Sequence, residues 1–254
     1  MSKATQRICR VLRILTGKKR PRTTAILLAG GIGSRMARSD RKTKQMLLLG
    51  GKPILAHTAI AFQACSYIDD IIVVTRADEL SAVTDMMASY GIKKFRRAVV
   101  GGETRQESAL RGFEAIDDAK CRFVAIHDVA RCLIRPEQIA TVVGVAYGTG
   151  AAAAASRVHD TVKRANSRGE VIETVDREEL WYAQTPQVFS ATLYRAAAYT
   201  AWQAKFMATD DMMLCERIGQ TVRLVDCTDE NFKITTDIDL LRAEAVLRAR
   251  EGAT

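Results

Sequence analysis

The sequence lacks any apolar run of about 18 residues, so it predicts no membrane-spanning helix. Its six cysteines form no CxxC pair and its three histidines have no HExxH spacing, which excludes the common zinc motifs. Scattered single cysteines are typical of a reducing compartment, and we expect a cytoplasmic protein. The aromatic residues, 6% of the chain, are not interleaved with basic ones, so we expect no nucleic-acid partner.

Acidic residues are missing from residues 1–22, whereas eight Lys or Arg residues lie there. The rest of the chain holds 30 basic and 29 acidic residues, so the net charge of +9 belongs almost entirely to this extension. We expect residues 1–22 to be a weakly ordered basic tail that takes no part in the chemistry. A transient helix on an anionic membrane and a misplaced start codon are the alternatives, because one basic patch gives only marginal membrane attachment.

Short apolar segments alternate with helix-like segments through residues 23–254. The predicted strands, rich in β-branched residues and bounded by Gly, Asp or charged residues, are 25–29, 71–75, 98–100, 123–126 and 222–225. Strands that are apolar along their whole length and alternate with helices indicate a mostly parallel sheet that is covered on both faces. We therefore expect one α/β domain over residues 23–254.

Three helices are predicted between and after these strands. Pro53 lies where a first helical turn would begin, ahead of the apolar segment 54–65. Two further segments carry an apolar stripe at helical spacing, which is typical of a face turned to the core. The stripes are Leu110, Phe113 and Ile116 in 104–116, and Ile238, Leu241 and Ala245 in 237–250.

Residues 151–176 interrupt this alternation. Propensity favours a helix for the five alanines at 151–155, but the glycines at 148 and 150 and the short length leave a strand equally compatible. Two β-prone pieces then flank a polar turn at 166–169, a pattern typical of a β-hairpin. We expect a protruding hairpin arm at about 156–177.

A glycine loop follows the first predicted strand, with two cations behind it: Gly30, Gly31, Gly33, Arg35 and Lys44. A strand that leads into a glycine loop and a helix is a general phosphate site in α/β sheets, because exposed amides and the helix terminus attract anions. The Walker motif fails after Gly33, and the dinucleotide fingerprint fails because Met36 replaces its third glycine. Two cations suggest a triphosphate ligand, and a tight turn before a solvated loop is the alternative.

Six further motifs resemble those of the 2-C-methyl-D-erythritol 4-phosphate cytidylyltransferase family, one of the sugar-phosphate nucleotidyltransferases. They are GGETRQESALRGF (101–113), VAIHDVAR (124–131), VHDTVKR (158–164), TVDREELWYAQTPQVF (174–189), TDDMML (209–214) and DENFKITTDIDL (229–240). The resemblance runs from about residue 24 to 248. It implies a Rossmann-like nucleotidyltransferase fold, homodimerisation through the hairpin arm, and transfer of CMP from CTP to methylerythritol phosphate with Mg²⁺. A sister group that makes CDP-ribitol from ribitol 5-phosphate is the alternative.

The same resemblance implies roles for single residues. Those implied to be catalytic, on the triphosphate and its α-phosphorus, are Arg35, Lys44 and Lys233. Those implied to contact CTP are Ala29, Gly30, Gly31, Gly33, Gly102, Ser108 and Asp128, with Asp128 also a candidate Mg²⁺ ligand. Those implied to hold the phosphate or polyol of the second substrate are Arg131, Thr161, Lys163, Arg177 and Thr185. In the family the arm crosses to a second subunit, so Thr161 and Arg177 would complete the neighbour's site.

Each of these roles has a structural alternative. The alternatives are a surface lysine for Lys233, an ion pair with Arg131 for Asp128, and a plain turn and helix start for segment 101–108. For the arm, the alternative is a solvated hairpin without function. We expect His127 to be a packed strand residue, and Asp229 and Glu230 are candidates for a second metal contact.

The sequence departs from the family pattern at three positions. Thr43 precedes Lys44 where a proline is usual, and Val129 and Cys132 replace the usual residues in HDVARC. A different rigidity of these loops is expected, since proline fixes the backbone angle φ and threonine does not.

Overall fold

The computed structural model describes residues 20–30, 43–117 and 119–252. The strands are β1 (Arg22–Leu28), β2 (Leu48–Leu49), β3 (Lys52–Pro53), β4 (Asp70–Thr75), β5 (Phe95–Val100), β6 (Cys121–Asp128), β7 (Ala151–Arg157), β8 (Val162–Ala165), β9 (Val171–Val175), β10 (Trp181–Ser190) and β11 (Arg223–Asp226). The α-helices are α1 (Ile54–Ala64), α2 (Leu80–Ser89), α3 (Arg105–Glu114), α4 (Pro136–Thr149), α5 (Ala191–Gln203), α6 (Asp211–Arg217) and α7 (Asp237–Glu251). No helix within these ranges is both long and apolar enough to cross a membrane.

Seven strands form the central sheet, in the order β11-β7-β10-β6-β1-β4-β5. The pairs β1/β4, β1/β6, β4/β5 and β7/β11 are parallel, whereas β10 runs antiparallel to both β6 and β7. The expectation of an α/β fold with a mostly parallel sheet is confirmed. The antiparallel strand was not expected, because its polar residues, which include Gln184 and Thr185, hide it from a search for apolar runs.

Two apolar cores lie on opposite faces of the sheet. Along β1, Ala25 and Leu27 face one core and Ile26 faces the other, as the alternation of side chains along a strand requires. Helices α1, α2, α4 and α7 supply buried residues to the first core, and α3, α5 and α6 to the second. Both faces of the sheet are therefore covered, which explains the unbroken apolar character of its strands.

The alanine run forms strand β7 rather than a helix. Residues 151–155 are fully buried between β10 and β11, and alternate methyl groups enter the two cores. Gly150 ends α4 in the left-handed region, with a φ of 82°, and lets the chain turn directly into the strand. At the far end of β7, the Arg157 guanidinium lies 3.8 Å from the ring centroid of Trp181 on β10.

Strands β8 and β9 form the hairpin expected after β7. They pair antiparallel in a two-stranded sheet of their own, around a turn in which the Asn166 side chain accepts from the backbone N–H groups of Arg168 and Glu170. The apolar residues Val171 and Ile172 of β9 are exposed. The hairpin thus stands apart from the central sheet and keeps apolar side chains on its surface.

Two expectations need correction. The stripe predicted for the last helix faces solvent, since the exposed fractions of Ile238 and Leu241 are 76% and 67%. The sequence holds a second stripe, including Leu240 and Ala243, and it is this stripe that packs into the first core. The last two basic residues of the expected tail also belong to the fold, because Arg22 begins β1 and Arg20 donates two hydrogen bonds to Asp69.

Candidate active site

A cavity of about 650 Å³ opens beside the carboxyl ends of β1 and β6, the edge at which open α/β sheets bind ligands. Seven of the expected site residues line it: Ala29, Gly30, Lys44, Gly102, Ser108, Asp128 and Lys233. Gly31, Gly33 and Arg35 lie outside the described residues. The cavity therefore gathers residues from widely separated motifs into one site.

Lys44 and Lys233 approach the same cavity from different elements. Lys44 begins a short 3₁₀ turn after the glycine loop, and its Nζ donates to the carbonyl oxygen of Ile234 at 2.7 Å. Lys233 lies one residue before Ile234, and its Nζ donates to Asp128 Oδ2 at 2.6 Å. The ammonium groups of Lys44 and Lys233 therefore reach the same cavity. A lysine at position 233 that only faced solvent would not line this cavity.

Asp128 is the anionic centre of the cavity. Its Oδ2 binds Lys233, and its Oδ1 accepts from Arg105 Nε at 3.0 Å. Burial would raise the pKa of Asp128, but the charges and hydrogen bonds of Arg105 and Lys233 outweigh it and hold the pKa well below its usual range. Arg131, the expected ion-pair partner, instead donates to the carbonyl oxygens of Asn231 and Ala183.

Arg105 is a site residue that the sequence interpretation missed. Its Nη1 donates to Asp211 Oδ2 at 2.7 Å, so that one guanidinium bridges Asp128 and Asp211. Asp211 is 1% exposed, and its Oδ1 also accepts from the hydroxyl of Tyr194 at 3.1 Å. Burial lowers the pKa of Arg105 less than the two carboxylates raise it, so the net shift is upward. The only sequence signal was the presence of both residues within matched motifs, GGETRQES and TDDMML.

The loop at Gly102 has a structural role as well as a place on the cavity. Thr104 and Glu107 form a capping box at the start of α3, and the Gly102 N–H donates to Ser108 Oγ at 3.1 Å. A Cβ atom on Gly102 would lie 2.3 Å from the Cβ of Glu107, so a side chain does not fit. Segment 101–108 is thus a turn and a helix start, and this turn brings Gly102 and Ser108 to the cavity.

His127 is a packed strand residue, as expected, and Thr185 accompanies it below the cavity. The His127 ring lies 4.9 Å from the ring of Phe62, and burial lowers its pKa to about 3. Thr185 Oγ1 accepts from the Asp128 N–H at 3.0 Å and lies 3.1 Å from His127 Nδ1. Thr185 is only 3% exposed and does not line the cavity, and its hydroxyl supports Asp128 from below.

The remaining residues expected to hold the second substrate do not line the cavity of their own chain. Thr161 and Lys163 lie on or beside the hairpin, where Lys163 Nζ donates to Thr174 Oγ1 at 2.6 Å. Arg177 Nη1 donates to the carbonyl oxygen of His159 at the base of the hairpin. These side chains are exposed, unlike those at the cavity.

The three departures from the family pattern are accommodated locally. Thr43 has a φ of −71°, a value that proline also adopts, and its hydroxyl donates to Glu79 Oε1. Val129 lines the cavity floor and its N–H donates to the carbonyl oxygen of Leu28. Cys132 is buried, and burial raises the pKa of its thiol to about 12, so it is an inert core residue.

A metal ion at this site would be coordinated by Asp128 and by oxygen atoms of the bound ligand. Among the described residues, no group of three or more His, Cys, Asp or Glu side chains converges on a point. Glu230 instead binds Arg135 and Arg250, and Asp229 lies near His159, so neither lines the cavity as a second metal contact. One carboxylate together with phosphate oxygens of a ligand would suit Mg²⁺, which usually keeps several waters and takes one or two carboxylates.

Comparisons with known proteins point the same way as the motifs. The family model described as IspD, 2-C-methyl-D-erythritol 4-phosphate cytidylyltransferase, matches residues 23–249. The protein of that name from Alkaliphilus metalliredigens is 40% identical over 231 residues, covering 91% of this chain and 95% of that protein. Its counterpart from Syntrophus aciditrophicus is 38% identical and covers 92% and 99%.

Solved structures show the same fold. The 4-diphosphocytidyl-2C-methyl-D-erythritol synthase of Anaerococcus prevotii aligns with a TM-score of 0.80 at 28% identity, over 89% of this chain and 96% of that one. The 2-C-methyl-D-erythritol 4-phosphate cytidylyltransferase of Francisella tularensis aligns with a TM-score of 0.71 at 29% identity, over 87% and 98%. These alignments span nearly the whole described chain.

Proposed function

The chain belongs to the 2-C-methyl-D-erythritol 4-phosphate cytidylyltransferase family, and we propose that it transfers CMP from CTP to 2-C-methyl-D-erythritol 4-phosphate. The products are 4-diphosphocytidyl-2-C-methyl-D-erythritol and pyrophosphate, on the route to isoprenoid precursors. The observation that carries this proposal is the approach of Lys44 and Lys233 to one cavity at the carboxyl edge of the sheet. Ribitol 5-phosphate is the alternative acceptor.

The chemistry is an in-line displacement at phosphorus. A phosphate oxygen of the acceptor attacks the α-phosphorus of CTP, and the bond from that phosphorus to the oxygen bridging to the β-phosphate breaks. The bonding electrons leave with pyrophosphate, so no covalent intermediate on the protein is needed. Such transfers depend on positioning and on charge stabilisation, which Lys44, Lys233 and, by family resemblance, Arg35 would supply.

Neutral groups are proposed to read the cytosine. Gly102 and Ser108 line the cavity. Ser108 Oγ accepts from the Gly102 N–H and donates to the Gly102 carbonyl oxygen at the long distance of 3.5 Å, a contact that an acceptor on the base edge would replace. The backbone at Ala29 and Gly30 lies at the same cavity, and the absence of a side chain at Gly30 lets a ligand approach closely.

Mg²⁺ is proposed as the cofactor, held by Asp128 and phosphate oxygens. When bound, the ion would neutralise charge on the triphosphate. Arg105 and Lys233 now bind the two Asp128 oxygens and orient the carboxylate toward the cavity. A chelator should abolish turnover and excess Mg²⁺ should restore it. Full turnover after chelation would contradict the proposed cofactor.

A homodimer in which the hairpin completes the neighbour's site is also proposed. It is supported by the exposed apolar side chains of β9, and because Thr161, Lys163 and Arg177 do not line the cavity of their own chain. A mixture of inactive Lys44→Ala and Arg177→Ala chains should recover about a quarter of the original activity, because half of the random dimers contain one intact site. No recovery after subunit exchange would refute action in trans.

The decisive assay offers CTP with methylerythritol phosphate and ribitol 5-phosphate in parallel and measures released pyrophosphate. We expect turnover with methylerythritol phosphate, and a loss of about 10²- to 10³-fold in kcat/KM for Lys44→Ala or Lys233→Ala. Lys52→Ala is the matched control, because Lys52 is exposed on the β2–β3 hairpin and does not line the cavity. Equal kcat/KM for both acceptors would refute the preference, and an unaffected Lys44→Ala would refute the mechanism.

A cytoplasmic location and the absence of a nucleic-acid partner complete the proposal. Cys65, Cys132, Cys215 and Cys227 are buried free thiols, which suits a reducing compartment. Truncation to residues 20–254 should leave turnover unchanged, since the cavity residues lie after it. Loss of activity on truncation would favour a role for the basic extension in binding.

A further inference from the structure

We propose that Glu79 is a positioning residue that fixes Lys44 in the cavity through the side chains of Thr43 and Gln45. Glu79 ends the short 3₁₀ turn Ala77–Glu79 between β4 and α2 and does not itself line the cavity. The inference rests on the proposed function, since it assigns a support to one of the two proposed catalytic lysines.

One carboxylate holds both neighbours of Lys44. Glu79 Oε1 accepts from the Thr43 hydroxyl, and its Oε2 accepts from Gln45 Nε2 at 2.7 Å. A third donor, Thr75 Oγ1 at 2.9 Å, joins the same carboxylate to the end of β4. The residues on either side of Lys44 are therefore tied to the central sheet at a single point.

These bonds lie in the interior. Glu79 is 8% exposed and Gln45 is 4% exposed, so water competes little for either side chain. The three donors are neutral groups, and a buried carboxylate needs such hydrogen bonds to offset its lost hydration. Release of Thr43 or Gln45 would leave that carboxylate short of partners, which favours the bound arrangement.

The hydrogen bonds of Glu79 matter because the Lys44 ammonium group lies at the end of a long side chain, far from the backbone that positions it. Its Nζ reaches the carbonyl oxygen of Ile234, next to Lys233, and the 3₁₀ turn Lys44–Met46 sets the direction of that side chain. A displacement of about 1 Å at a catalytic group lowers rates by as much as 10²-fold. Holding residues 43 and 45 therefore controls where the ammonium group meets the triphosphate.

The test is a double-mutant cycle with Lys44. We expect Glu79→Ala to lower kcat/KM about 10²-fold, and Thr43→Val, which replaces the hydroxyl with a methyl group, to lower it about 10-fold. In the Lys44→Ala background both changes should have less than about a 3-fold effect, because their path to the reaction has been removed. CTP affinity measured by calorimetry should show the same non-additivity.

The matched control is Asp70→Asn, at the opposite end of β4. Asp70 is a buried carboxylate that binds Arg22 and Arg96, so its loss should lower thermal stability while leaving kcat/KM within about 3-fold. Losses that are equally large with and without Lys44 would overturn the role of Glu79, as would an equal loss in Asp70→Asn. If Glu79→Ala does not fold, kcat/KM of Thr43→Val is compared in the same way, with and without Lys44→Ala. Absence of turnover by the unaltered chain would instead refute the proposed function.

Discussion

The buried histidine beside the candidate site should make the protein sensitive to mild acid. His127 lies on β6 with Nδ1 at Thr185 Oγ1 and Nε2 at the carbonyl oxygen of Arg131. Burial lowers its pKa to about 3, and the attraction of Asp128 is partly opposed by Arg131 and Arg105. The perturbation we consider is a shift from about pH 7.5 to about pH 5, where the folded ring stays neutral.

The magnitude follows from the two protonation states. In the unfolded chain the histidine pKa is about 6.5, so the unfolded state gains a proton below that pH while the folded state gains none until about pH 3. The stability due to neutral His127 is therefore fully present above pH 6.5 and is lost as pH falls. The loss at pH 5 is about 2 kcal/mol, and it grows by about 1.4 kcal/mol for each further pH unit.

Urea denaturation at both pH values measures this loss in the free energy of unfolding. His127→Gln keeps a polar side chain that does not titrate, so its loss between the two pH values should be about 2 kcal/mol smaller than that of the unaltered chain. His159→Gln, at an exposed histidine of the hairpin, should behave like the unaltered chain. Equal losses for His127→Gln and the unaltered chain, within about 0.5 kcal/mol, would refute the reasoning.

Three further substitutions test the surroundings of the cavity. Gly102→Ala should lower the free energy of unfolding by about 1–3 kcal/mol and weaken CTP binding, because its Cβ would displace Glu107; an unchanged calorimetric affinity would contradict this. Asp211→Asn should destabilise by about 3–5 kcal/mol in urea denaturation, since it leaves Arg105 with one carboxylate, and a loss under about 1 kcal/mol would be inconsistent with the bridge. Thr43→Pro should retain more kcat/KM than Thr43→Val, because a φ of −71° suits proline; the reverse order would count against restraint of this segment.

The sequence predicted those parts of the fold that depend on local pattern. Unbroken apolar runs identified β1, β4 and β6, and the apolar stripe within 104–116 identified α3, because burial leaves a periodic pattern over a few residues. The start of β5 was missed, since Arg96 and Arg97 are exposed on this edge strand and interrupt the apolar pattern. Edge strands need no apolar run on their exposed side.

The cavity was predictable only in part. Lys44, Lys233 and Asp128 came from motifs that resemble a family, and the structure brings these three to one cavity. The bridge from Arg105 to Asp211 joins residues 106 positions apart, and no local pattern encodes which arginine meets which carboxylate. Such pairings depend on how the strands are ordered in the sheet, which spacing along the chain does not specify.

Strand β7 has an unusual consequence for the alignment of the sheet. In most strands a slip of one residue would exchange inward and outward side chains, and that penalty selects one alignment. Along residues 151–155 a slip replaces one methyl group by another, so the interior of the strand cannot distinguish neighbouring alignments. The alignment must be set at the two ends, by the left-handed Gly150 and by Arg157 stacked on Trp181. A chain substituted at both Gly150 and Arg157 would keep every buried atom of residues 151–155. It would still lose the alignment of β7 with β10.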